Sequence, residues 1–132
     1  DLYLERIVYL NPIEINKEIV LEDIYYDFDK WDIREDAKPS LLRLKKIMQD
    51  NPEIDIQLSS HTDCRGTEDY NLELSQKRAQ SARQFLISQG IDPERITAVG
   101  YGESRLLTEC KCERCTEAEH QLNRRTTFKV LE

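Results

Sequence analysis

The acidic residue Asp63 and the basic residue Arg78 are the pair whose chemistry best suggests a ligand. Asp63 follows a short apolar stretch, and Arg78 lies on the flank of the apolar stripe of a predicted helix. Held apart at one edge, they can bind the two ends of a zwitterion, because a carboxylate accepts hydrogen bonds from ammonium and an arginine binds a carboxylate bidentately. On spacing alone, an internal salt bridge between them is the favoured interpretation.

Catalysis is the alternative use of these acidic residues. Asp27 or Asp29 with Asp63 would supply the paired carboxylates of a glycosidase. Such an enzyme needs one carboxyl group of raised pKa, whereas a neighbouring Arg78 lowers the pKa of Asp63. The serines lack a nucleophile elbow, and no glycine-rich loop is present to hold a phosphate. We therefore predict that the chain is not an enzyme.

The cysteines form a second constellation. Three of them fall within six residues and the fourth lies beside Asp63; they are Cys64, Cys110, Cys112 and Cys115. Four thiols can hold zinc in a tetrahedral site, or they can form two disulfides in an oxidising compartment. Four cysteines allow three disulfide connectivities.

The histidines and the basic pairs are expected to be structural. His61 and His120 each lack a second histidine at ligand spacing, so we predict half-buried polar side chains and no metal site. The pairs Lys45-Lys46 and Arg124-Arg125 are predicted to lie on a solvated face or a strand edge.

The first half of the chain has the periodicity of a strand, a helix and a second strand. Residues 19–28 are β-branched and aromatic, which predicts the first core strand. Asp36 is then predicted to cap a helix that ends at Asn51-Pro52. Apolar residues alternate with polar ones over 54–58, as in a short strand.

The second half continues this alternation. Asn71 is predicted to cap a long helix that Gly90 ends, and Asp92 to cap a single turn before a strand over 96–101. A polar, cysteine-rich loop follows, and residues 126–131 alternate as a closing strand.

This order of elements predicts an α/β fold, more specifically an α+β sandwich of βαβαββ type. We expect a mixed, mostly parallel sheet with the helices packed on one face. The first two strands then end at the same edge, where ligands collect in open sheets. Asp27-Phe28-Asp29 and residues 60–63 would emerge there.

Composition restricts the class of protein. The 132 residues suit one compact domain, and no stretch approaches the ~18 to 20 apolar residues of a membrane span. The net charge of −7 repels a phosphate backbone, so no nucleic-acid partner is expected. The sequence begins at Asp1 without a methionine or a signal-peptide pattern, as expected for a mature or excised piece of a longer protein.

A larger pattern runs from about Ile19 to the end of the chain. Its motifs are YDFDK at 26–30, HTDCRG at 61–66, YN at 70–71, LSQKRAQS at 74–81, GYGE at 100–103 and NRR at 123–125. The pattern resembles the OmpA-like C-terminal domain, a family that includes the peptidoglycan-associated lipoproteins and the stator proteins of the flagellar motor. We therefore expect this domain over 19–132, preceded by an extension or linker over 1–18.

The resemblance implies a function and a site. Domains of this family bind the cell wall non-covalently, at the free amino-acid end of the diaminopimelate in the stem peptide. The binding aspartate and arginine resemble Asp63 and Arg78, and the resemblance implies further ligand contacts from Phe28, Asp29, Thr62, Asn71 and Leu74. Arg65, which follows the binding aspartate, is a weaker candidate.

We expect the periplasmic domain of an outer-membrane protein or lipoprotein, with no cofactor. Peptidoglycan is the expected partner, and the N-terminal region would connect the domain to the outer membrane. The alternatives are a cell-wall hydrolase and a purely structural interaction domain in which Asp63 and Arg78 pair with each other.

The implied periplasmic location favours disulfides over zinc, because thiols oxidise in that compartment. The three clustered thiols cannot all pair among themselves, so one of them must reach Cys64. We predict a short bridge Cys110–Cys115 and a long bridge Cys64–Cys112, which would tie the loop of Asp63 to the segment before the last strand.

Overall fold

The computed structural model of the chain describes residues 17–21, 24–27 and 30–131. Within these ranges the chain forms four strands and three α-helices. The strands are β1 (Ile19–Leu21), β2 (Asp55–His61), β3 (Ile96–Gly102) and β4 (Thr126–Leu131), and the helices are α1 (Lys38–Asp50), α2 (Glu68–Ser88) and α3 (Glu117–Asn123). None of the helices in these ranges has both the length and the apolar character needed to cross a membrane.

The strands form one mixed sheet in the order β1-β4-β2-β3. The last strand lies between the first two and pairs antiparallel with both, so Phe128 faces Ile19 on one side and Leu58 on the other. The pair β2–β3 is parallel, with Leu58 opposite Ala98. The mixed α+β architecture is therefore confirmed.

The strand directions explain where the sequence prediction holds and where it does not. Strands β1, β2 and β3 all run in one direction, so β1 and β2 end at the same edge as predicted. Adjacent pairs are nevertheless mostly antiparallel, which corrects the expected mostly parallel sheet. The reason is that β4 inserts between β1 and β2.

The hydrophobic core lies between one face of the sheet and the two long helices. Every second residue of β2 and β4 points into it, as Ile56, Leu58, Phe128 and Val130 do. The helices contribute residues at helical spacing, which are Leu41, Leu44, Ile47 and Met48 of α1 and Ala82 and Leu86 of α2. Burial of these side chains supplies the main driving force for folding.

Helix α2 packs closely on the edge strand β3 because Gly100 lacks a side chain. A Cβ atom at Gly100 would lie 2.2 Å from the backbone nitrogen of Gln76. The Gln76 side chain uses this proximity: its Oε1 accepts from the Gly100 N–H at 2.8 Å, and its Nε2 donates to the Ala98 carbonyl at 3.1 Å. These bonds satisfy backbone groups of an edge strand and fix the helix that carries Arg78.

The first strand is shorter than predicted. Strand β1 ends at Leu21, which pairs with Thr126, the first residue of β4. Beyond that point β4 offers no backbone to pair with. The later part of the predicted strand, as far as residues 24–27 are described, has no regular secondary structure.

Two helix starts differ from the prediction as well. Asp36 lies in a 3₁₀ turn, Glu35–Ala37, and its carboxylate accepts from Arg34 instead of capping α1. The cap of α2 is Thr67, whose hydroxyl accepts from the Tyr70 N–H at 3.1 Å, so Asn71 lies inside the helix. The predicted cap Asp92, the closing strand and the end of α2 before Gly90 are confirmed.

Helix α3 corrects the expectation that a loop alone joins β3 to β4. Its start has the signature of a capping box: Thr116 accepts from the Glu119 N–H, and Glu119 accepts from the Thr116 N–H. The apolar periodicity is weak because the helix is short and carries Glu117, Glu119 and Gln121.

Candidate functional site

A cleft of about 860 Å³ lies at the edge of the sheet where β1 and β2 end. It is lined by five of the seven predicted ligand contacts, which are Thr62, Asp63, Asn71, Leu74 and Arg78. The other two, Phe28 and Asp29, lie outside the described residues. The edge-of-sheet location predicted for a site therefore contains a cleft, and the roles of its residues in binding stay a prediction.

Asp63 lies at the floor of this cleft, with a side chain that is only 8% exposed. Its Oδ1 accepts from the backbone N–H of Arg65 at 2.8 Å, which closes a tight turn after β2. Its Oδ2 accepts from Arg65 Nη2 at 2.8 Å and from Arg124 Nη1 at 2.7 Å. Asp63 therefore pairs with these two arginines and not with Arg78, which rules out the internal Asp63–Arg78 salt bridge.

Glu117, in the first turn of α3, joins the same group of charges. Its two carboxylate oxygens accept from Arg65 Nη1 at 3.2 Å and from Arg124 Nη2 at 2.8 Å. Each arginine therefore bridges the buried Asp63 and the exposed Glu117. The acidic start of a helix is a favourable place for Glu117, because the helix dipole is positive there.

The pKa of Asp63 reflects these partners. Burial is the largest single influence and would raise the pKa. The hydrogen bonds from the Arg65 side chain and backbone and from Arg124 together outweigh it, and they lower the pKa from 3.8 to about 2. The carboxylate is therefore ionised at neutral pH, through Arg65 and Arg124 and not, as expected, through Arg78.

This lowered pKa predicts a loss of stability in acid. A group whose pKa is depressed by folding stabilises the folded state above its unfolded pKa, and this contribution is lost as the pH falls through the folded pKa. The window is therefore about pH 4 to 2, and the contribution is about 2 kcal/mol. Urea unfolding of wild type and Asp63→Asn across this window should show the difference in their unfolding free energies shrinking as pH falls. A constant difference would contradict the prediction.

Arg78 also lines the cleft, and the segment that follows β1 holds its side chain in place. Its Nε donates to the Lys30 carbonyl at 2.9 Å, its Nη2 donates to the Asp27 carbonyl at 3.3 Å, and its guanidinium lies 4.8 Å from the centre of the Tyr26 ring. The Tyr26 hydroxyl in turn donates to the Arg78 carbonyl. These contacts fix the orientation of a planar group that binds carboxylates well.

Thr62 and Asn71 support the loop that presents Asp63. Thr62 donates its hydroxyl to the Asp63 carbonyl at 2.9 Å, and its N–H bonds to Gly102 of β3. The Asn71 amide donates to the Arg65 carbonyl at 2.8 Å and to Glu103 Oε1 at 3.0 Å. Asn71 is thus a buried support inside α2, although it was predicted as its cap.

One disulfide connects this loop to the segment that leads into α3, and a second lies within that segment. The bridges are Cys64–Cys112 and Cys110–Cys115, which is the predicted pairing. The first places the residue after Asp63 next to the segment that carries Glu117 and Arg124. The alternative of four free thiols around zinc does not apply to this oxidised state.

His61 is more deeply buried than predicted. It is only 3% exposed, lines the cleft and stacks on Tyr101 with ring centres 5.3 Å apart. Burial, with Arg125 and Arg105 nearby, lowers the pKa of His61 to about 4, so the ring is neutral at neutral pH.

The role of Arg124 was not predicted. Arg124 was expected on a solvated face or a strand edge, but its side chain is only 29% exposed and bonds to both Asp63 and Glu117. Its occurrence within the NRR motif of the resemblance was the available signal. Glu117 had no comparable signal, because its contacts depend on a helix that the apolar pattern does not reveal.

Comparison with known proteins agrees with this architecture. The sequence profile of the OmpA family matches residues 25–119. The chain belongs to the OmpA family. Among its relatives, the outer membrane porin F of Pseudomonas fluorescens is 38% identical over 108 residues, which is 82% of this chain and 32% of the porin. The peptidoglycan-associated lipoprotein of Brucella melitensis is 37% identical over 92 residues, which is 70% of this chain and 55% of the lipoprotein.

A solved structure shows the same fold. The peptidoglycan-associated lipoprotein of Burkholderia pseudomallei superposes with a TM-score of 0.72 at 29% sequence identity, covering 81% of this chain and 87% of that one. The chain described here spans about half the length of the Brucella lipoprotein and about a third of the length of the Pseudomonas fluorescens porin. The predicted family is confirmed, and the predicted location, a periplasmic domain of an outer-membrane protein or lipoprotein, agrees with these relatives.

Proposed function

We propose that this domain binds cell-wall peptidoglycan without catalysis, through the free ammonium and carboxylate of diaminopimelate in the stem peptide. The observation that carries the proposal is one cleft that is lined by both the ionised Asp63 and an Arg78 whose guanidinium is held in place. The names of the lipoprotein relatives support the choice of peptidoglycan as ligand.

The ammonium group would bind at Oδ1 of Asp63. This oxygen accepts one hydrogen bond among the described residues, from Arg65 N–H, and a carboxylate oxygen has two lone pairs. Because the Asp63 side chain is only 8% exposed, the ligand must displace part of its cover. The Arg65 side chain is half exposed and keeps Glu117 as a second partner, so it can move aside at little cost.

The carboxylate of the ligand would bind Arg78. Among the residues that the structure describes, the charge of the cleft favours such a ligand, since five arginines line it, against the two carboxylates of Asp63 and Glu117. This excess of positive charge occurs in a chain whose net charge is −7. A stem peptide with free carboxylates is therefore attracted to this cleft although the protein as a whole is acidic.

The geometry does not favour the hydrolase alternative. A glycosidase needs a protonated carboxyl as general acid, whereas the pKa of Asp63 is lowered to about 2. Asp27, its proposed partner, has a side chain that is 69% exposed and faces Arg34 at 3.3 Å. The other proposed partner, Asp29, lies outside the described residues.

Calorimetry with three small molecules tests the ammonium contact and the carboxylate contact separately. Meso-diaminopimelate carries an ammonium and a carboxylate at each end, cadaverine carries only the two ammonium groups, and pimelate carries only the two carboxylates. We expect diaminopimelate to bind about tenfold or more tighter than either analogue, because each lost charge-assisted hydrogen bond costs about 1.5 to 3 kcal/mol. Equal affinity for all three would overturn the proposal.

The substitution Arg78→Lys tests the bidentate part of the proposal. Lysine keeps the positive charge but presents a point charge instead of a planar fork, so binding of diaminopimelate should weaken about tenfold. The matched control is Arg43→Lys, at an exposed position of α1 and away from the cleft. Full affinity in Arg78→Lys would show that the bidentate contact is absent.

Attachment to a polymer adds to the affinity. Several copies of the domain linked to one membrane surface would engage many stem peptides at once, so vesicles that carry the domain should sediment with purified wall more than the affinity for free diaminopimelate predicts. We further propose that the region preceding the domain links it to the outer membrane, as the porin and lipoprotein names of the relatives suggest.

A further inference from the structure

The cysteine cluster beside α3 contains a histidine that neither disulfide uses. The Sγ atoms of Cys64 and Cys115 and a ring nitrogen of His120 all lie within 4.8 Å of one another. Cys64 and Cys115 belong to different disulfides, so the sulfurs of Cys112 and Cys110 are each one bond further away. Four sulfurs and an imidazole therefore share one small volume.

His120 is an unusual member of this cluster. It is only 4% exposed, and its Nδ1 is buried without a hydrogen-bond partner among the described residues. A buried polar atom left without a partner costs about 1 to 3 kcal/mol. A neutral imidazole beside sulfur atoms is also one of the commonest metal ligands in proteins.

We propose that the reduced form of this cluster binds a thiophilic divalent cation such as Zn²⁺. Cys64, Cys115 and His120 are three of the ligands, and Cys110 or Cys112 supplies the fourth. With zinc–sulfur bonds of about 2.3 Å, ligand sulfurs in a tetrahedral site lie about 3.8 Å apart, so groups now within 4.8 Å need to move by about 1 Å. The oxidised domain does not bind metal here, because disulfide sulfurs are not thiolates.

Reduction of both disulfides must precede metal binding. Two molecules of a dithiol reductant supply four electrons and four protons, which open both disulfides, and each reductant becomes a disulfide itself. Metal binding then displaces protons from the coordinating thiols, which bind as thiolates. After loss of the metal, transfer of four electrons and four protons to two molecules of a small disulfide oxidant restores the original bridges.

The metal would replace one cross-link with another. In the oxidised protein, the long disulfide joins the loop after β2 to the segment before α3. A metal held by Cys64, Cys115 and His120 joins the same loop to that segment and to α3 itself. The reduced domain would thus keep Glu117 and Arg124, at the two ends of α3, close to Asp63.

Cobalt is the probe that tests this inference. The 132-residue chain is reduced anaerobically with a phosphine and titrated with Co²⁺, and the visible absorption is recorded. We expect one Co²⁺ per chain, the intense spectrum of a tetrahedral site, a thiolate-to-cobalt band, and displacement by Zn²⁺. The unreduced chain, titrated in parallel, should show none of these signals.

Two matched variants identify the histidine. His120→Gln should bind Co²⁺ at least about 100-fold more weakly. Loss of a residue that only hydrogen-bonds to a metal ligand lowers metal affinity about 10- to 100-fold, and loss of the ligand itself should cost more. His61→Gln removes the other buried histidine and should bind like wild type. Circular dichroism shows whether the reduced chain is folded before it binds Co²⁺. A tetrahedral Co²⁺ spectrum supports the proposal in either case, because the reduced chain can also fold as it binds the metal. A weak octahedral spectrum, no binding, or equal affinity of the two variants would overturn it.

Discussion

The substitution Asp63→Asn should reduce the affinity for diaminopimelate by about 30- to 150-fold, equivalent to about 2 to 3 kcal/mol. The asparagine has nearly the same shape, so the effect isolates the charge that would hold the ammonium. It also leaves Arg65 and Arg124 with Glu117 as their remaining carboxylate partner. Two arginines that share one exposed glutamate add repulsion against a cationic group at this position. Asp63→Ala should lose at least as much.

The matched control is Asp55→Asn, at the exposed start of the same strand. Asp55 begins β2 and Asp63 follows its end, so the two sites are separated by the length of the strand. Isothermal titration gives the affinity, and cosedimentation with purified wall gives the effect on the polymer. If Asp63→Asn is folded by circular dichroism and binds as tightly as Asp55→Asn, the ammonium does not bind at Asp63.

The sequence alone allowed most of the elements that position this site to be predicted. Periodicity revealed both long helices, and alternation revealed the last three strands, because each of these elements buries one continuous apolar face. The common edge of β1 and β2 then placed Asp63 near the end of the first strand. The position of β4 between them leaves no local signal, since it depends on long-range pairing.

The partners of Asp63 could be predicted only in part. Arg65 lies two residues away, within reach of a turn, whereas Arg124 arrives from the far end of the chain through α3 and β4. A charged residue outside an apolar stripe is predicted to be exposed to solvent. The tertiary position of Arg124, whose side chain is only 29% exposed, could not be predicted from the sequence pattern. The pairing of the cysteines was predictable only in part, because the three clustered thiols require one of them to reach Cys64 but do not determine which one.

Removal of the long disulfide should have the largest effect on stability. The double variant Cys64→Ser/Cys112→Ser opens a link between residues 48 positions apart, which the chain-entropy model values at about 4 kcal/mol. The matched control, Cys110→Ser/Cys115→Ser, opens a link of 5 positions and should lose about 2 kcal/mol. Urea unfolding without reductant measures both.

The same bridge should also affect binding while the domain is still folded. Cys64 is next to Asp63, and Cys112 lies in the 3₁₀ turn shortly before α3. At the two ends of α3, Glu117 and Arg124 bond to each other, and Arg124 also bonds to Asp63. Without the bridge, the loop and the segment before α3 must be ordered by the ligand, which costs about 0.5 to 1.5 kcal/mol for each side chain immobilised. Diaminopimelate should therefore bind about three- to tenfold more weakly to the Cys64→Ser/Cys112→Ser variant.

The short bridge separates this explanation from a general loss of stability. Cys110–Cys115 closes a small loop within one segment and makes no covalent link to the loop of Asp63, so its removal should leave the affinity nearly unchanged. Binding is measured without denaturant, where circular dichroism shows each variant to be folded. If both double variants lose affinity equally, or if neither does, the long bridge does not pre-organise Asp63. A loss confined to Cys64→Ser/Cys112→Ser ties the order of the binding loop to this one covalent link.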